Sequence, residues 1–512
     1  MTSVTGKIES TRHTDVLIIG AGISGIGAAY HLKQQCPEKT YNVLDAQPAI
    51  GGTWTTHTYP GIRSDSDLFT FGYRFKPWTG APIATAAQIL KYLREVIDEN
   101  DIQTHIHHQH TVLSADWDSG LQSWTLQVLD SLTNQVKQFS CNFLWMCQGY
   151  YRHGKGYTPE WPGIVDFGGQ IVHPQTWPDD LAYKGKRLVV IGSGATAATL
   201  IPAIAADCEH VTMLQRSPTY FRTAANANDL ADTLRQLDIP LQWTHEIVRR
   251  KVLFDQSAFT KRAANEPDVV KRELVENVRT YLGESFDVEK HFSPSYRPWQ
   301  QRLAFIPDAD LFRAIASGKA SVVTDDIDRF TVQGIKLKSG EELAADIIVT
   351  ATGFHLSSPG DIPFTVDGQM VDFHKTVTYR GTMFSGVPNM SWMFGYLRAS
   401  WTLRVDLLSD YICRMLNHMR DQNLGAVTPT LRPSDVVKPL KPWIDKDNFS
   451  SGYMMRSLHL MPQQIGVQPW KLETDYFVER DLLPIAELDD GILQFTPKPR
   501  SGLHHDDKTV RE

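Results

Sequence analysis

Residues 15–25 read Asp15-Val16-Leu17-Ile18-Ile19-Gly20-Ala21-Gly22-Ile23-Ser24-Gly25, and this stretch decides the fold. A short apolar run ends in glycine, a Gly-rich turn follows, and a helical pattern runs from Ser24 to about Gln35. A second strand-like run spans Tyr41 to Asp45. Gly20, Gly22 and Gly25 stand at the spacing GxGxxG. The first allows the tight turn, the second lets a pyrophosphate approach the backbone, and the third lets the helix pack on the strand. The helix N-terminus then offers free N–H groups to the anion. Alone the string is a weak signal, because glycine turns occur in many loops. Here a strand precedes it, a helix follows, and Asp45 ends the next strand, where a carboxylate can accept both ribose hydroxyls. The stretch predicts a β-α-β dinucleotide-binding unit.

The pattern recurs. Arg187 to Ile191 is apolar after its first residue, Gly192-Ser193-Gly194-Ala195-Thr196-Ala197 matches GxGxxA, and a helix to about Ala206 leads into the strand Val211 to Gln215. That strand ends in Gln215-Arg216-Ser217, where an acid would select the ribose 2′-hydroxyl of NAD. Arg216 can pair with a 2′-phosphate and Ser217 can add a hydrogen bond, which predicts NADPH. Two dinucleotide sites suggest hydride transfer from NADPH to a flavin, so FAD is expected at the first. No CxxC or CxxxxC lies near it, which excludes a disulfide reductase. The expected cofactor-binding set also takes in Val112 and Thr199.

The fold class expected is α/β, with two Rossmann-like domains and a helical insertion in the second. Both units have strands that are apolar throughout, as suits a parallel sheet covered on both faces. The expected segments are an FAD-binding domain over 1–150, an NADPH-binding domain over 151–220, an insertion over 221–299, a return to the NADPH domain over 300–350 and to the FAD domain over 351–512. In the insertion, Asn228 to Leu237 and Leu241 to Arg262 look helical. Val270, Leu274, Val278 and Leu282 fall on one face of a further helix. Strands are expected at 320–324, 330–338 and 346–351, and a long helix from Ser400 to about Met419, with Ser400 as N-cap. That helix start is expected to aim at the flavin's carbonyl edge. Arg398 and Trp401 either line the substrate pocket or pack the helix start. The last dozen residues are expected to be disordered.

The chain has 512 residues, 42% hydrophobic, with 51 basic and 58 acidic side chains and a net charge of −7. That excludes the basic surplus of a nucleic-acid binder. Arg249-Arg250-Lys251 and Lys261-Arg262 read as solvated helix faces. Five scattered cysteines suggest reduced, buried thiols in a cytoplasmic protein, with no metal site. The polar N-terminus has no apolar signal core, and no apolar run reaches the ~18 residues of a membrane span. Peripheral membrane contact through Met393 to Trp401 stays open.

Three further stretches carry the chemistry. Gly51-Gly52-Thr53-Trp54 runs on to Tyr59-Pro60-Gly61-Ile62-Arg63-Ser64-Asp65, placed to follow the flavin, with Trp54 as a wall of its ring. Phe167-Gly168-Gly169-Gln170-Ile171-Val172-His173-Pro174-Gln175-Thr176-Trp177-Pro178 precedes the second unit, in the linker between domains. Gln301-Arg302-Leu303 follows the insertion.

Residues 167–178 match FxGxxxHxxxWP, the fingerprint of type I Baeyer–Villiger monooxygenases, at Phe167, Gly169, His173, Trp177 and Pro178. The GGTW…YPG…D stretch and Asp346…Ala351-Thr352-Gly353 are similar to the same family's flavin-domain motifs. The chain resembles this family from about Asp15 to about Pro499. YPGIRSDSD, HPQTWP, VIGSGATA and LQRSPTY are most similar to the branch with the ethionamide-activating monooxygenase.

The resemblance implies that FAD, reduced by NADPH, reacts with O2 to a C4a-peroxide that converts ketones to esters or lactones. Sulfides or thioamides are implied as further substrates. It assigns Arg302 as the cation that stabilises the peroxide and adduct oxyanion, and Asp65 as the carboxylate that orients it. Arginine suits because it stays charged and offers directional donors. His173 is read as a coupler between domains. In many relatives a lysine precedes the arginine and helps hold the 2′-phosphate; here Gln301 stands there, so NADPH preference rests mainly on Arg216. The alternative is a flavin-containing N- or S-monooxygenase, whose similar string lacks the Trp-Pro ending.

Overall fold

The computed structural model describes residues 12–499. The expected disorder of the last dozen residues falls outside them. The strand Arg12–Ile19 feeds the first Gly-rich turn and the helix Ile23–Gln35. It lies parallel between Tyr41–Leu44 and Gln135–Met146, and Met390–Trp392 extends the sheet beyond Leu144–Met146. An antiparallel meander, His110–Asp118 to Ser123–Asp130 to Gln135–Met146, widens it. The helices Ile23–Gln35 and Trp401–Asp421 pack together, so the C-terminal part of the chain completes the first domain.

The second sheet is all parallel. Its strand order is Ala320–Thr324, His210–Gln215, Arg187–Ile191, Ile347–Thr350, Gln170–Val172. The fingerprint stretch thus supplies this sheet's edge strand. Phe167 and Trp177 are buried in the second domain's cores. The passage between domains is a two-stranded antiparallel connector, Tyr151–Gly156 with Phe354–Leu356.

The helical insertion opens between Phe221–Ala224 and Ala304–Pro307, which pair in parallel. Its helices are Asp229–Gln236, Leu241–Asn265, Pro267–Leu282 and Val288–Phe292. The long one docks on the first domain, and this corrects the reading of Arg249-Arg250-Lys251 as a solvated face. Arg249 is buried; its guanidinium donates to the carbonyls of Phe69, Thr70 and Gly72 and lies 3.7 Å from Asp406. Arg250 and Lys251 are exposed, as expected. A buried cation needs such partners, and removing them costs several kcal/mol, roughly 3–5.

Three other expectations are corrected. The strand expected over 330–338 is a hairpin, Ile327–Thr331 with Gly334–Leu337, because the chain reverses at residues 332–333. Ser400 occupies the N-cap position, but its hydroxyl pairs with Thr70 Oγ1 at 2.7 Å and makes no cap. Of the stretch Met393 to Trp401, Met393 to Leu397 are all buried and offer no membrane surface, because Met390–Trp392 enters the first sheet and carries them into its core, while Arg398, Ala399 and Trp401 are half-buried. No described helix is long and apolar enough to cross a membrane.

Candidate functional site

Both cradles have the backbone their glycines allow. Gly20 has φ +106° and Gly192 φ +127°, where a side chain would be strained, and a Cβ would stand 2.6 Å from the Cys147 carbonyl oxygen or 2.4 Å from that of Ala351. At Gly25 a Cβ would stand 1.8 Å from the Gly20 carbonyl oxygen, so the first helix meets its strand only through glycine. Gly22 faces Gly52, its Cβ position 3.6 Å from the Gly52 Cα, and Gly194 has nothing within 4 Å. Bare backbone at the start of each helix fits a pyrophosphate.

The flanking residues differ between the two. Asp45 is buried and takes the Ala21 N–H on one carboxylate oxygen at 2.6 Å and the Gln47 N–H on the other at 2.7 Å. Burial pushes its pKa up against those two hydrogen bonds. Each oxygen keeps a lone pair for a ribose hydroxyl. Ser24 accepts from the Trp401 indole N–H at 2.8 Å. Arg216 and Ser217 are exposed, and Ser193 Oγ pairs with Thr219. Thr199 and Ala197 are buried on the second helix, while Ala195 and Thr196 line the space before it.

One cavity of about 740 Å³ joins the two cradles; Gly22, Asp45, Trp54, Val112, Gly194 and Arg302 all border it. Its size is that of a small-molecule site, roughly 300–1,000 Å³. Thr53 opens a short turn of helix on its wall, and the half-buried Trp54 packs edge-on to Phe71 at 5.7 Å. Trp401 borders the cavity too, whereas Arg398 turns to the carbonyls of Trp299 and Asn448.

Arg302 and Asp65 form a two-pronged ion pair on that wall, Nε to Oδ2 at 2.7 Å and Nη2 to Oδ1 at 2.6 Å. Burial pushes the Asp65 carboxyl up, but the guanidinium outweighs it and holds the acid below its usual range. The Asp65 charge in turn raises Arg302. Both side chains stay charged at any working pH.

His173 donates or accepts at two points: its Nε2 meets the Gly353 carbonyl at 3.1 Å, and its Nδ1 accepts from the Gln175 N–H at 3.1 Å. Donation to Gly353 fixes the tautomer. Burial pushes its pKa down, so the ring is neutral. Its partner Gly353 also receives the Tyr157 N–H, so the histidine ties the fingerprint strand to the connector.

Two groups had not been singled out in the sequence. Tyr150 and Tyr151 share a hydroxyl contact of 2.6 Å, Tyr453 hydrogen-bonds with both, and the three phenols lie beside Arg302. Tyr150 stacks on Trp401 with centroids 5.1 Å apart. The doubled tyrosine after a core strand was a visible signal; Tyr453, some three hundred residues on, was not. The second is Arg456, whose guanidinium sits 3.6 Å over the Tyr157 ring.

Two nucleotide cradles on facing domains, opening into one cavity, place the protein in the class of two-dinucleotide oxidoreductases. Comparison with known proteins narrows the class. The Flavin-binding monooxygenase-like family matches residues 82–229, and the NAD(P)-binding Rossmann-like domain family residues 18–82. The chain is 47% identical to the FAD-containing monooxygenase EthA of Mycolicibacterium smegmatis, over 95% of this chain and 98% of that one. It is 43% identical to the probable FAD-binding monooxygenase AlmA of Acinetobacter baylyi, over 95% and 97%. Among solved structures, an oxidized steroid monooxygenase bound to NADP aligns with TM-score 0.75 at 21% identity, over 95% of this chain and 100% of that one. Cyclohexanone monooxygenase from Rhodococcus sp. Phi1, bound to NADP+, aligns at 0.68 and 19%, over 83% and 88%. The chain belongs to the family of FAD-containing monooxygenases and is an enzyme.

Proposed function

We propose that this enzyme uses FAD, NADPH and O2 to convert ketones to esters or lactones by Baeyer–Villiger oxidation, and that the same site oxygenates sulfides or thioamides. The observation that carries this reading is the Arg302–Asp65 pair, a fixed, half-buried cation on the wall where the two cradles meet. The bound flavin supplies the oxygen chemistry. The protein's part is to place the two nucleotides, shield the cavity and stabilise negative charge on the reacting oxygens. Arg302 suits that last task because Asp65 holds its planar fork in one orientation before the reaction starts. Gly20, Gly22 and Asp45 would hold FAD, and Gly192, Gly194 and Arg216 would hold NADPH. His173 would keep the domains in register through Gly353.

The test is aerobic turnover with NADPH and a panel of cyclic, aryl and long linear ketones, with products read by mass spectrometry. Ester or lactone formation coupled to NADPH consumption supports the reading. Sulfoxide from thioether substrates with no ester from any ketone would leave a heteroatom monooxygenase instead.

A further inference from the structure

Arg456 is a cation without an acid. Its guanidinium carbon lies 3.6 Å from the centre of the Tyr157 ring, and its Nη2 is 3.4 Å from the Cβ position of Gly353, a residue whose φ of +100° favours glycine. Among the described residues it has no carboxylate within ion-pair reach, and it borders the shared cavity. The strand order of the second sheet fixes where this is. The cradle Gly192–Ala197 follows the strand Arg187–Ile191. Arg216 follows the neighbouring strand on one side, His210–Gln215, and Gly353 follows the neighbour on the other, Ile347–Thr350. Two arginines therefore flank one phosphate cradle, one from each side, and the second comes from the C-terminal part of the chain.

They are near enough to repel. Burial and the charge of Arg216 push Arg456 down, with Tyr157 opposing. In a protein of net charge −7, two cations that repel each other and lack acid partners among the described residues are an arrangement an anion between them would relieve. Arginine over an aromatic face keeps its edge donors free for such an anion.

Resting on the NADPH reading above, we propose that Arg456 is a second phosphate-gripping residue of the NADPH site, opposite Arg216. The ligand chemistry is a phosphate of the dinucleotide, either the 2′-phosphate or the pyrophosphate. Binding of NADP+ thereby clasps the C-terminal segment 452–457 to the second domain.

Calorimetric titration of the FAD-loaded protein with NADP+, NAD+ and adenosine 2′-phosphate tests this. Arg456→Gln should weaken NADP+ by roughly tenfold, the scale of a lost charged hydrogen bond, while FAD content and Tm hold. It should also flatten the dependence of Kd on salt. Arg456→Lys should recover part of the loss. A loss shared by NAD+ assigns the grip to the pyrophosphate, and a loss confined to NADP+ and adenosine 2′-phosphate assigns it to the 2′-phosphate; both support the proposal. Unchanged Kd for both dinucleotides in Arg456→Gln, with tight binding by wild type, overturns it alone. Wild-type protein that binds neither dinucleotide overturns the NADPH reading and this proposal with it.

Discussion

The two cradles share a motif and differ in how they are walled. The first is sunk in its domain: Gly25 allows no side chain at all, Asp45 is buried and doubly hydrogen-bonded, and Trp401 caps Ser24 from a helix nearly four hundred residues away in sequence. The second is open: Gly194 has free space where the first has Gly52, and Arg216 and Ser217, the residues proposed to select its nucleotide, are exposed. The same turn chemistry thus builds one site fit to retain a nucleotide and one fit to exchange it. A flavoprotein reduced by a diffusing dinucleotide needs that asymmetry.

The largest effect should come from breaking the first cradle. Gly25→Val would force a branched side chain into the Gly20 carbonyl and should yield colourless, poorly folded protein. Gly194→Val should leave a yellow, folded enzyme whose flavin NADPH no longer reduces. Flavin absorbance and anaerobic stopped-flow reduction check both, and a yellow Gly25→Val would erase the contrast drawn here. Next in size is Arg302→Ala. Ketone oxygenation should fall by about 10²–10³-fold, the scale for removing one preorganised charge donor. FAD content should stay intact, and NADPH oxidation should end in hydrogen peroxide. Lysine at 302 should rescue little, because it lacks the fork that Asp65 holds. Ester formation near the wild-type rate in Arg302→Ala would end the Baeyer–Villiger reading.

What could be read from sequence follows from how local each constraint is. A phosphate cradle needs its glycines at fixed spacing within one turn, so Gly20 to Gly25 and Gly192 to Ala197 announce themselves. The order strand, turn, helix, strand around each then gives the fold class. Arg302 and Asp65 are 237 positions apart, and only resemblance to a family brought them together beforehand. Nothing local marks Tyr453 or Arg456, which the tertiary fold alone carries to the cavity. Two of the misread stretches fail for one physical reason. Arg249 reads as solvent-facing and Met393 to Trp401 as a surface patch until the partner surfaces that bury Arg249 and Met393 to Leu397 are known.

Arg216→Ala should weaken the open cradle only, raising KM for NADPH by roughly ten- to a hundredfold, as expected for a lost charged contact to phosphate. KM for NADH should barely move. Equal effects on both, in steady-state assays with each nucleotide, would remove Arg216 as the selecting residue.

The smallest effect probes how the looser half is held to the tighter one. His245, on the long insertion helix, is 2% exposed and accepts the Trp78 N–H on Nδ1 at 3.2 Å. Burial, then the charge of Arg249, pushes its pKa down to about 4, with Glu246 and Asp406 opposing. A histidine in the unfolded chain titrates near ~6.5, so on acidification the unfolded state takes up the proton first. The stability this ring contributes is therefore complete above the unfolded value and is lost as pH falls from there toward about 4. Protonation of Nδ1 also breaks the bond to Trp78. Between pH 7 and 5 the loss should be about 2 kcal/mol, at ~1.4 kcal/mol per pH unit below the unfolded pKa. Other histidines with lowered pKa, the buried His57 and the half-buried His173 among them, add to the same slope, so the comparison must be with a variant. His245→Gln keeps an acceptor for Trp78 and cannot titrate. Its Tm should fall less than that of wild type between pH 7 and 5, with the difference growing from about 6.5 down toward about 4. Identical pH slopes would mean that the insertion's hold on the first domain does not pass through this ring, leaving Arg249 and its carbonyl partners to carry it.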